Sequence, residues 1–206
     1  MLGFYNYTVI LTYMSLVSSV VGITFAFENN IFGAVMCLMI SGFCDMFDGK
    51  VAKTMKRTEE EKKFGIQIDS LSDLIAFGVL PAAIGYNVGL NNWWGVAIMA
   101  IFILSALIRL AYFNVLEEAR QKKTSETRKE YLGLPVTSDA LIVPLVYALR
   151  FYIKSNFYIL YAIVLLVVSF LFLFKFKVKK PTIKGMVIMT IVGVIEILLL
   201  IWLMPW

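Results

Sequence analysis

The sequence predicts an all-α integral membrane protein with seven transmembrane helices. Of its 206 residues, 60% are hydrophobic, and the mean hydropathy is +0.82, well above the balance of a water-soluble domain. The apolar residues fall into segments close to the roughly 20 residues that a helix needs to cross a bilayer. Short polar or longer charged stretches separate them. The expected spans are 8–27, 31–50, 66–88, 93–115, 135–153, 157–174 and 185–204.

Lysine and arginine residues predict how these spans are oriented. Of the 19 basic residues, 17 fall in the three segments 50–63, 109–129 and 175–184. All three segments lie on the cytoplasmic side if the N-terminus is cytoplasmic and the C-terminus is outside, as the positive-inside rule requires. The net charge of +5 then reflects topology and attraction to anionic headgroups of the lipid bilayer. No nucleic acid is expected as a partner.

The residue types that are present restrict the chemistry. The chain has no histidine, which excludes Ser-His and Cys-His catalytic pairs and any zinc site built on histidine. The two cysteines, Cys37 and Cys44, lie on one predicted helix and are interpreted as packed apolar thiols. Any chemistry must therefore rest on carboxylates, hydroxyls, amides and basic groups.

Four aspartates lie inside the predicted spans, close to their cytoplasmic ends. A carboxylate within a bilayer is costly, so it normally faces protein or water and marks a function. Asp45 and Asp48 are three residues apart and Asp69 and Asp73 four, so each pair shares one face of its helix. At 1.5 Å per residue, both pairs lie roughly 5–10 Å below the interface. We therefore expect the two pairs to lie at similar depth on neighbouring helices.

This arrangement predicts a metal site. Crowded carboxylates repel one another unless cations intervene, and hard divalent cations such as Mg²⁺ or Mn²⁺ prefer oxygen ligands and often bind substrate phosphates as well. Two divalent cations would balance the four charges. Gly49 and Gly65 leave space for a close approach, and Lys53, one turn beyond Gly49, could pair with a phosphate.

Two other interpretations of the aspartates remain open. The four charges could simply lie at helix ends and contact water, but their spacing and the neighbouring glycines favour a built site. The protein could also be a divalent-cation transporter. Transporter sites usually lie near the bilayer midplane, where this sequence offers only Glu196. A polar pathway at that depth would support the transporter.

Residues 45–73 resemble the signature of the CDP-alcohol phosphatidyltransferase family. The family pattern is D-x-x-D-G-x-x-A-R, a short interval, and G-x-x-x-D-x-x-x-D. The chain has D-M-F-D-G-K-V-A at 45–52 and G-I-Q-I-D-S-L-S-D at 65–73. It departs from the pattern in two ways: Lys53 replaces the arginine, and the interval to Gly65 is longer. Arg57, within that interval, is a second candidate for the missing guanidinium.

Three further segments resemble the phosphatidylserine synthase branch of that family: 69–81, 109–114 and 133–135. The resemblance implies transfer of a phosphatidyl group from CDP-diacylglycerol to the hydroxyl of serine, with release of CMP. Sister enzymes that use inositol phosphate or glycerol phosphate are the alternative. The resemblance also implies a six-helix core over residues 1–174, with 175–206 forming a basic loop and an accessory seventh helix. A homodimer is expected as well.

The resemblance implies roles for individual residues. Asp73 would act as general base on the acceptor hydroxyl and share metal binding. The implied sites comprise Asp45, Asp48, Asp69 and Asp73 for metal; Gly49, Ala52, Lys53, Arg57 and Gly65 for nucleotide and phosphate; and Ser72, Arg109, Asn114 and Ser138 for the acceptor. Thr137 and Asp139 could also face the cavity, although capping of the fifth span explains Thr137 and Ser138 equally well. The segment 120–131 is interpreted as a solvated helical extension, with a lid as the alternative.

Overall fold

A computed structural model describes residues 3–121, 130–179 and 181–203, and it confirms the predicted all-α class. The helices are α1 (Ile10–Phe27), α2 (Ile31–Val51), α3 (Glu59–Asp73), α4 (Leu80–Asn87), α5 (Trp93–Gln121), α6 (Asp139–Ala148), α7 (Arg150–Ile153), α8 (Phe157–Leu173) and α9 (Ile183–Leu203). A π-helical segment, Leu74–Val79, joins α3 to α4. Two short strands, β1 (Glu130–Leu132) and β2 (Lys177–Lys179), pair antiparallel.

Six helical segments within the described residues are long and apolar enough to cross a membrane. One of them, Val136–Leu173, has 38 residues and a positive φ of +50° at Lys154. The N–H of Leu134 donates to the carbonyl of Leu171 at 3.1 Å, and β1 pairs with β2 just beyond. Because its two ends lie side by side, the segment is a helical hairpin. The structure therefore agrees with the seven predicted spans.

Small residues hold α1 against α2. The hydroxyls of Ser19 and Ser41 lie 3.0 Å apart, and Ser41 also contacts the carbonyl of Ser15 at 3.0 Å. A Cβ built at Gly22 would lie only 2.8 Å from the Cβ of Cys37. Small side chains let the backbones of membrane helices approach closely, and hydroxyls then bond across the interface. This contact brings the N-terminal half of α1 beside the acidic end of α2.

The helix that carries Asp69 and Asp73 begins earlier than the predicted span. The hydroxyl of Thr58 accepts from the N–H of Glu61, and the Glu61 carboxylate accepts from the N–H of Thr58, which forms a capping box. Acidic residues also occupy the first turn, where their negative charges interact favourably with the helix dipole. The helix then widens into the π-helical segment just before Pro81, which has no N–H to donate. Asp73 directly precedes this segment.

Close packing of α2 against α6 at Gly42 supports a prediction about stability. A Cβ built at Gly42 would overlap the Cβ of Ala140 on α6, whereas a Cβ at Gly49 meets no atom of the described residues within 4 Å. We expect Gly42→Ala to destabilise the protein by about 1–3 kcal/mol through overpacking. Gly49→Ala on the same helix is the matched control. Thermal unfolding in detergent would measure both, and equal melting temperatures would contradict the packing argument.

Candidate active site

Two helices bring three of the four aspartates together. One carboxylate oxygen each from Asp45 and Asp48 on α2 and from Asp69 on α3 lie within 4.8 Å of one another. Asp73 lies one turn further along α3, is buried, and is close enough to Asp45 for the two carboxyl groups to interact. The two pairs thus meet, as their spacing predicted.

This carboxylate cluster fits a divalent cation. Three carboxylate oxygens at this separation match the hard oxygen ligands that Mg²⁺ and Mn²⁺ prefer. Asp69 Oδ1 is buried and has no hydrogen-bond partner among the described residues, so it is available as a ligand. Gly49 leaves open space beside the cluster. The residues present can therefore hold a metal and admit a phosphate next to it.

The cluster lies in a cavity of about 1020 Å³. This volume is at the upper end of the range for ligand sites in proteins, so a large substrate can enter. Ten of the residues singled out from the sequence line it: Asp45, Asp48, Gly49, Lys53, Asp69, Asp73, Arg109, Asn114, Thr137 and Ser138. They come from α2, α3, α5 and the turns that follow α2 and precede α6. Residues far apart in the sequence therefore share one site.

The structure separates the two candidates for the family arginine. Lys53 lines the cavity, whereas Arg57 is not among its described lining residues. Instead, the Arg57 guanidinium covers Gly65, with Nη1 3.1 Å from a Cβ built there. Ala52 and Gly65 also lie outside the described walls of the cavity. Phosphate binding by Arg57, Ala52 and Gly65 stays a prediction.

Two of the acceptor candidates are not among the described residues that line the cavity. The Ser72 hydroxyl donates to the carbonyl of Thr12 at 3.2 Å, so it faces α1. Asp139 is only 1% exposed and is not among the described lining residues. Its Oδ2 has no hydrogen-bond partner within the ranges that the structure describes. Neither position gains structural support for contact with an acceptor.

Arg109 offers a positive group at the wall of the cavity. Its side chain is only 9% exposed, and it lies within electrostatic range of Asp73, Asp139 and Asp45. Its Nε finds no acceptor in the described part of the chain. A buried guanidinium with an unused donor can receive the carboxylate or phosphate of a ligand. The sequence predicted an anionic partner for Arg109 because of its apolar surroundings.

The sequence did not reveal two hydroxyl groups that support the site. Thr12 on α1 donates to Asp48 Oδ2 at 3.3 Å, and Ser70 donates to Asn114 Oδ1 at 2.9 Å. Ser70 lies within the signature, so its proximity to the aspartates was available as a signal. Thr12 belongs to an unmarked apolar span, and no spacing rule connects it to Asp48.

The C-terminal segment also contributes to the cavity, which was not predicted. Residues of β2, the turn after it and α9 line one wall. Tyr131 of β1 lines the cavity as well. In the segment 120–131, α5 continues to Gln121, but Glu130 and Tyr131 belong to β1, so the predicted helical extension is wrong at these two residues; residues 122–129 lie outside the described residues. The choice between extension and lid stays open for them.

Removing the hydroxyl of Thr12 should weaken the metal site through Asp48. We expect Thr12→Val to lower the affinity for Mn²⁺ by about 10–100-fold, because groups that orient a metal ligand typically contribute this much. Thr12→Ser keeps the donor and is the matched control. A Mn²⁺ titration followed by electron paramagnetic resonance would measure both variants. Equal affinities would show that this contact does not orient Asp48.

The model of the family described as CDP-alcohol phosphatidyltransferase matches residues 5–204. The chain belongs to the CDP-alcohol phosphatidyltransferase family. This match confirms the resemblance seen in residues 45–73. Together with the apolar helices, it identifies an integral, multi-pass membrane protein.

Two of three relatives of this chain carry the same name, and the third carries a related one. The CDP-diacylglycerol–serine O-phosphatidyltransferase of Saccharomyces cerevisiae is 38% identical over 115 residues, which cover 54% of this chain and 41% of the relative. The protein of the same name from Helicobacter pylori strain 26695 is 34% identical over 143 residues, covering 68% and 56%. An archaetidylserine synthase from Methanothermobacter thermautotrophicus is 26% identical over 179 residues, covering 86% and 70%. The chain thus spans about half the length of the first two relatives.

Proposed function

We propose that the protein transfers a phosphatidyl group from CDP-diacylglycerol to the hydroxyl of L-serine, giving phosphatidylserine and CMP. The observation that carries this proposal is the meeting of the signature aspartates in one large cavity that also contains Arg109. The names of the relatives support serine as the acceptor. A site a few ångströms below the interface suits a lipid donor with a water-soluble nucleotide head.

The donor would bind at the acidic end of α2. Asp45, Asp48 and Asp69 would hold two divalent cations, Mg²⁺ or Mn²⁺, with Asp73 sharing in the binding. When bound, these ions would neutralise the diphosphate and the charge on the departing CMP. Gly49 leaves room for the diphosphate beside the cluster, and the Lys53 ammonium would pair with a phosphate oxygen.

The acceptor would bind between α3 and α5. Arg109 would hold the serine carboxylate through its unused Nε and so orient the hydroxyl towards Asp73. Asp73 would take the hydroxyl proton while the serine oxygen forms the new bond to phosphorus and the CMP oxygen leaves. The Asn114 amide, fixed by Ser70, and the Ser138 hydroxyl would complete the contacts.

The orientation and the oligomeric state belong to the same proposal. The distribution of basic residues supports a cytoplasmic N-terminus and a cytoplasmic active site. Family resemblance supports a homodimer. Labelling of single introduced cysteines in sealed vesicles tests the first point, and crosslinking of the full chain in native membranes tests the second.

One assay tests the reaction. The purified protein receives CDP-diacylglycerol, Mn²⁺ or Mg²⁺, and serine, inositol phosphate or glycerol phosphate in turn, and CMP release is measured. We expect release with serine that stops when a chelator removes the metal. If CMP is released only with inositol phosphate or glycerol phosphate, the acceptor is that phosphorylated alcohol and not serine. No release with any acceptor would contradict the enzyme assignment.

A further inference from the structure

One face of α9 lines the active-site cavity. Its residues follow a spacing of three and four, as positions on a single helical face do. They are Met186, Met189, Thr190, Gly193, Val194 and Ile197. The facing residues of α2, with the same periodicity, are Met36, Met39, Ile40 and Phe43. We call the space between these two sets the apolar slot.

The two helices lie close together along the slot. A Cβ built at Gly193 would lie 3.8 Å from Met39 Cε and 3.7 Å from Leu141 Cδ2 of α6, so both neighbours approach α9 there. Since α2 and α9 are the second and seventh crossings, they run in opposite directions. Met186 therefore lies towards the acidic end of α2, and Ile197 lies deeper. At 1.5 Å per residue, the slot extends roughly 16 Å along α9.

The slot is open on one side. Ile40, Phe43 and Val194 line it, yet they are 49%, 53% and 49% exposed. In α9, among the residues that the structure describes, only Glu196 and Leu200 are buried. Because these positions lie within membrane spans, the open side faces lipid. Space lined by apolar side chains does not hold ordered water, so a hydrocarbon is the occupant that its chemistry favours.

The slot is continuous with the carboxylate cluster, because both belong to one cavity. A lipid whose phosphates lie at Asp45 and Asp48 has its hydrocarbon part directed along α2, away from the acidic end. The slot contains four methionines, whose flexible side chains adapt to a chain of variable shape. The headgroup and the chain of one ligand can therefore occupy the two parts of the cavity together.

We propose that the slot holds one acyl chain of the lipid donor and that the helix face around Gly193 limits the chain length that fits. The inference rests on the proposed function, which makes the donor a lipid. It gives α9 a role in donor selection beyond that of an accessory helix. The Gly193 position, where α2 and α6 approach α9, is the narrow point of the slot.

A bulky side chain at Gly193 should shift donor preference towards short chains. CMP release is measured with CDP-diacylglycerols of short and long saturated chains, and the ratio of kcat/KM for long over short chains is compared. We expect Gly193→Phe to lower this ratio by at least about tenfold, because the new ring would exclude the end of a long chain. One methylene more or less in an apolar pocket typically changes kcat/KM by at least about tenfold. Val192→Phe is the matched control, because Val192 is exposed and is not among the described lining residues. An unchanged ratio in Gly193→Phe would overturn the proposal.

A second measurement does not depend on turnover. Wild-type protein is irradiated with CDP-diacylglycerol that carries a diazirine on one acyl chain, and the labelled residues are mapped by mass spectrometry. We expect adducts in the slot, at positions such as Met39 and Met189, that excess unlabelled donor suppresses. Adducts confined to outward residues such as Val187 and Ile191 would overturn the slot. If excess donor suppresses adducts in the slot but serine supports no turnover, only the proposed reaction is contradicted. If serine supports turnover but no adducts form in the slot, only the role of the slot is contradicted.

Discussion

Asp73→Asn is expected to abolish phosphatidyl transfer while donor binding survives. The amide keeps the shape of the side chain but cannot accept the proton of the serine hydroxyl. General-base catalysis typically contributes 10²–10⁴-fold, so we expect a loss in kcat of about that size. CMP release measures turnover, and competition between the variant and a labelled donor measures binding. Asp73 is buried beside Asp45, so the substitution changes the interior of the site and leaves the solvent-exposed surface unchanged.

The control for this experiment is another buried carboxyl within the membrane spans. Glu196 is 6% exposed and is not among the described residues that line the cavity. Glu196→Gln should therefore retain most of the turnover. If Asp73→Asn transfers at the wild-type rate, the assignment of Asp73 as base is wrong. If donor binding is lost together with turnover, Asp73 acts mainly as a metal ligand.

Asp69→Asn is expected to weaken metal binding and to lower activity with it. The substitution removes one charge from the three carboxylates that meet within 4.8 Å. Loss of a residue that only hydrogen-bonds to a metal ligand typically lowers metal affinity by about 10–100-fold. Because Asp69 would be a ligand itself, we expect the affinity for Mn²⁺ to fall by at least about 100-fold. Calorimetric titration with Mn²⁺ measures the affinity, and the metal dependence of CMP release should shift in parallel.

A control at the opposite end of α3 separates this effect from a loss of overall negative charge. The side chain of Glu59 is 74% exposed and pairs with Lys62 at 2.7 Å, far from the cluster along the helix. Glu59→Gln should leave the affinity for Mn²⁺ unchanged. An Asp69→Asn variant that binds Mn²⁺ as tightly as the wild type would exclude Asp69 as a ligand.

The sequence was sufficient to predict that the two helices bring their aspartates together. Two pairs with helical spacing, separated by one loop, could meet only at the ends of neighbouring helices, and the structure brings Asp45, Asp48 and Asp69 together. The hairpin of the fifth and sixth spans was also predictable, because the polar residues at 154–156 interrupt an otherwise continuous apolar run. Such features depend on order and periodicity along the chain.

Other parts of the site depend on which helices are neighbours, and periodicity does not determine that. Thr12 contacts Asp48 because Gly22 and the serines of α1 let helix α1 pack closely on α2. The inner face of α9 was hidden for a different reason. Lipid tails and the acyl chain of a substrate have the same chemistry, so a helix that is apolar on all sides does not reveal which face lines a cavity.

The π-helical segment after Asp73 sets the rotational phase of the two halves of one membrane crossing. A π-turn contains one more residue than an α-turn, so the side chains beyond Val79 are rotated by roughly 100° from where an uninterrupted α-helix would direct them. The direction of the α3 carboxylates about the helix axis is therefore set independently of the direction of the packing face of α4. Shortening Leu74–Val79 by one residue would change the direction of one half relative to the other without altering the composition of either.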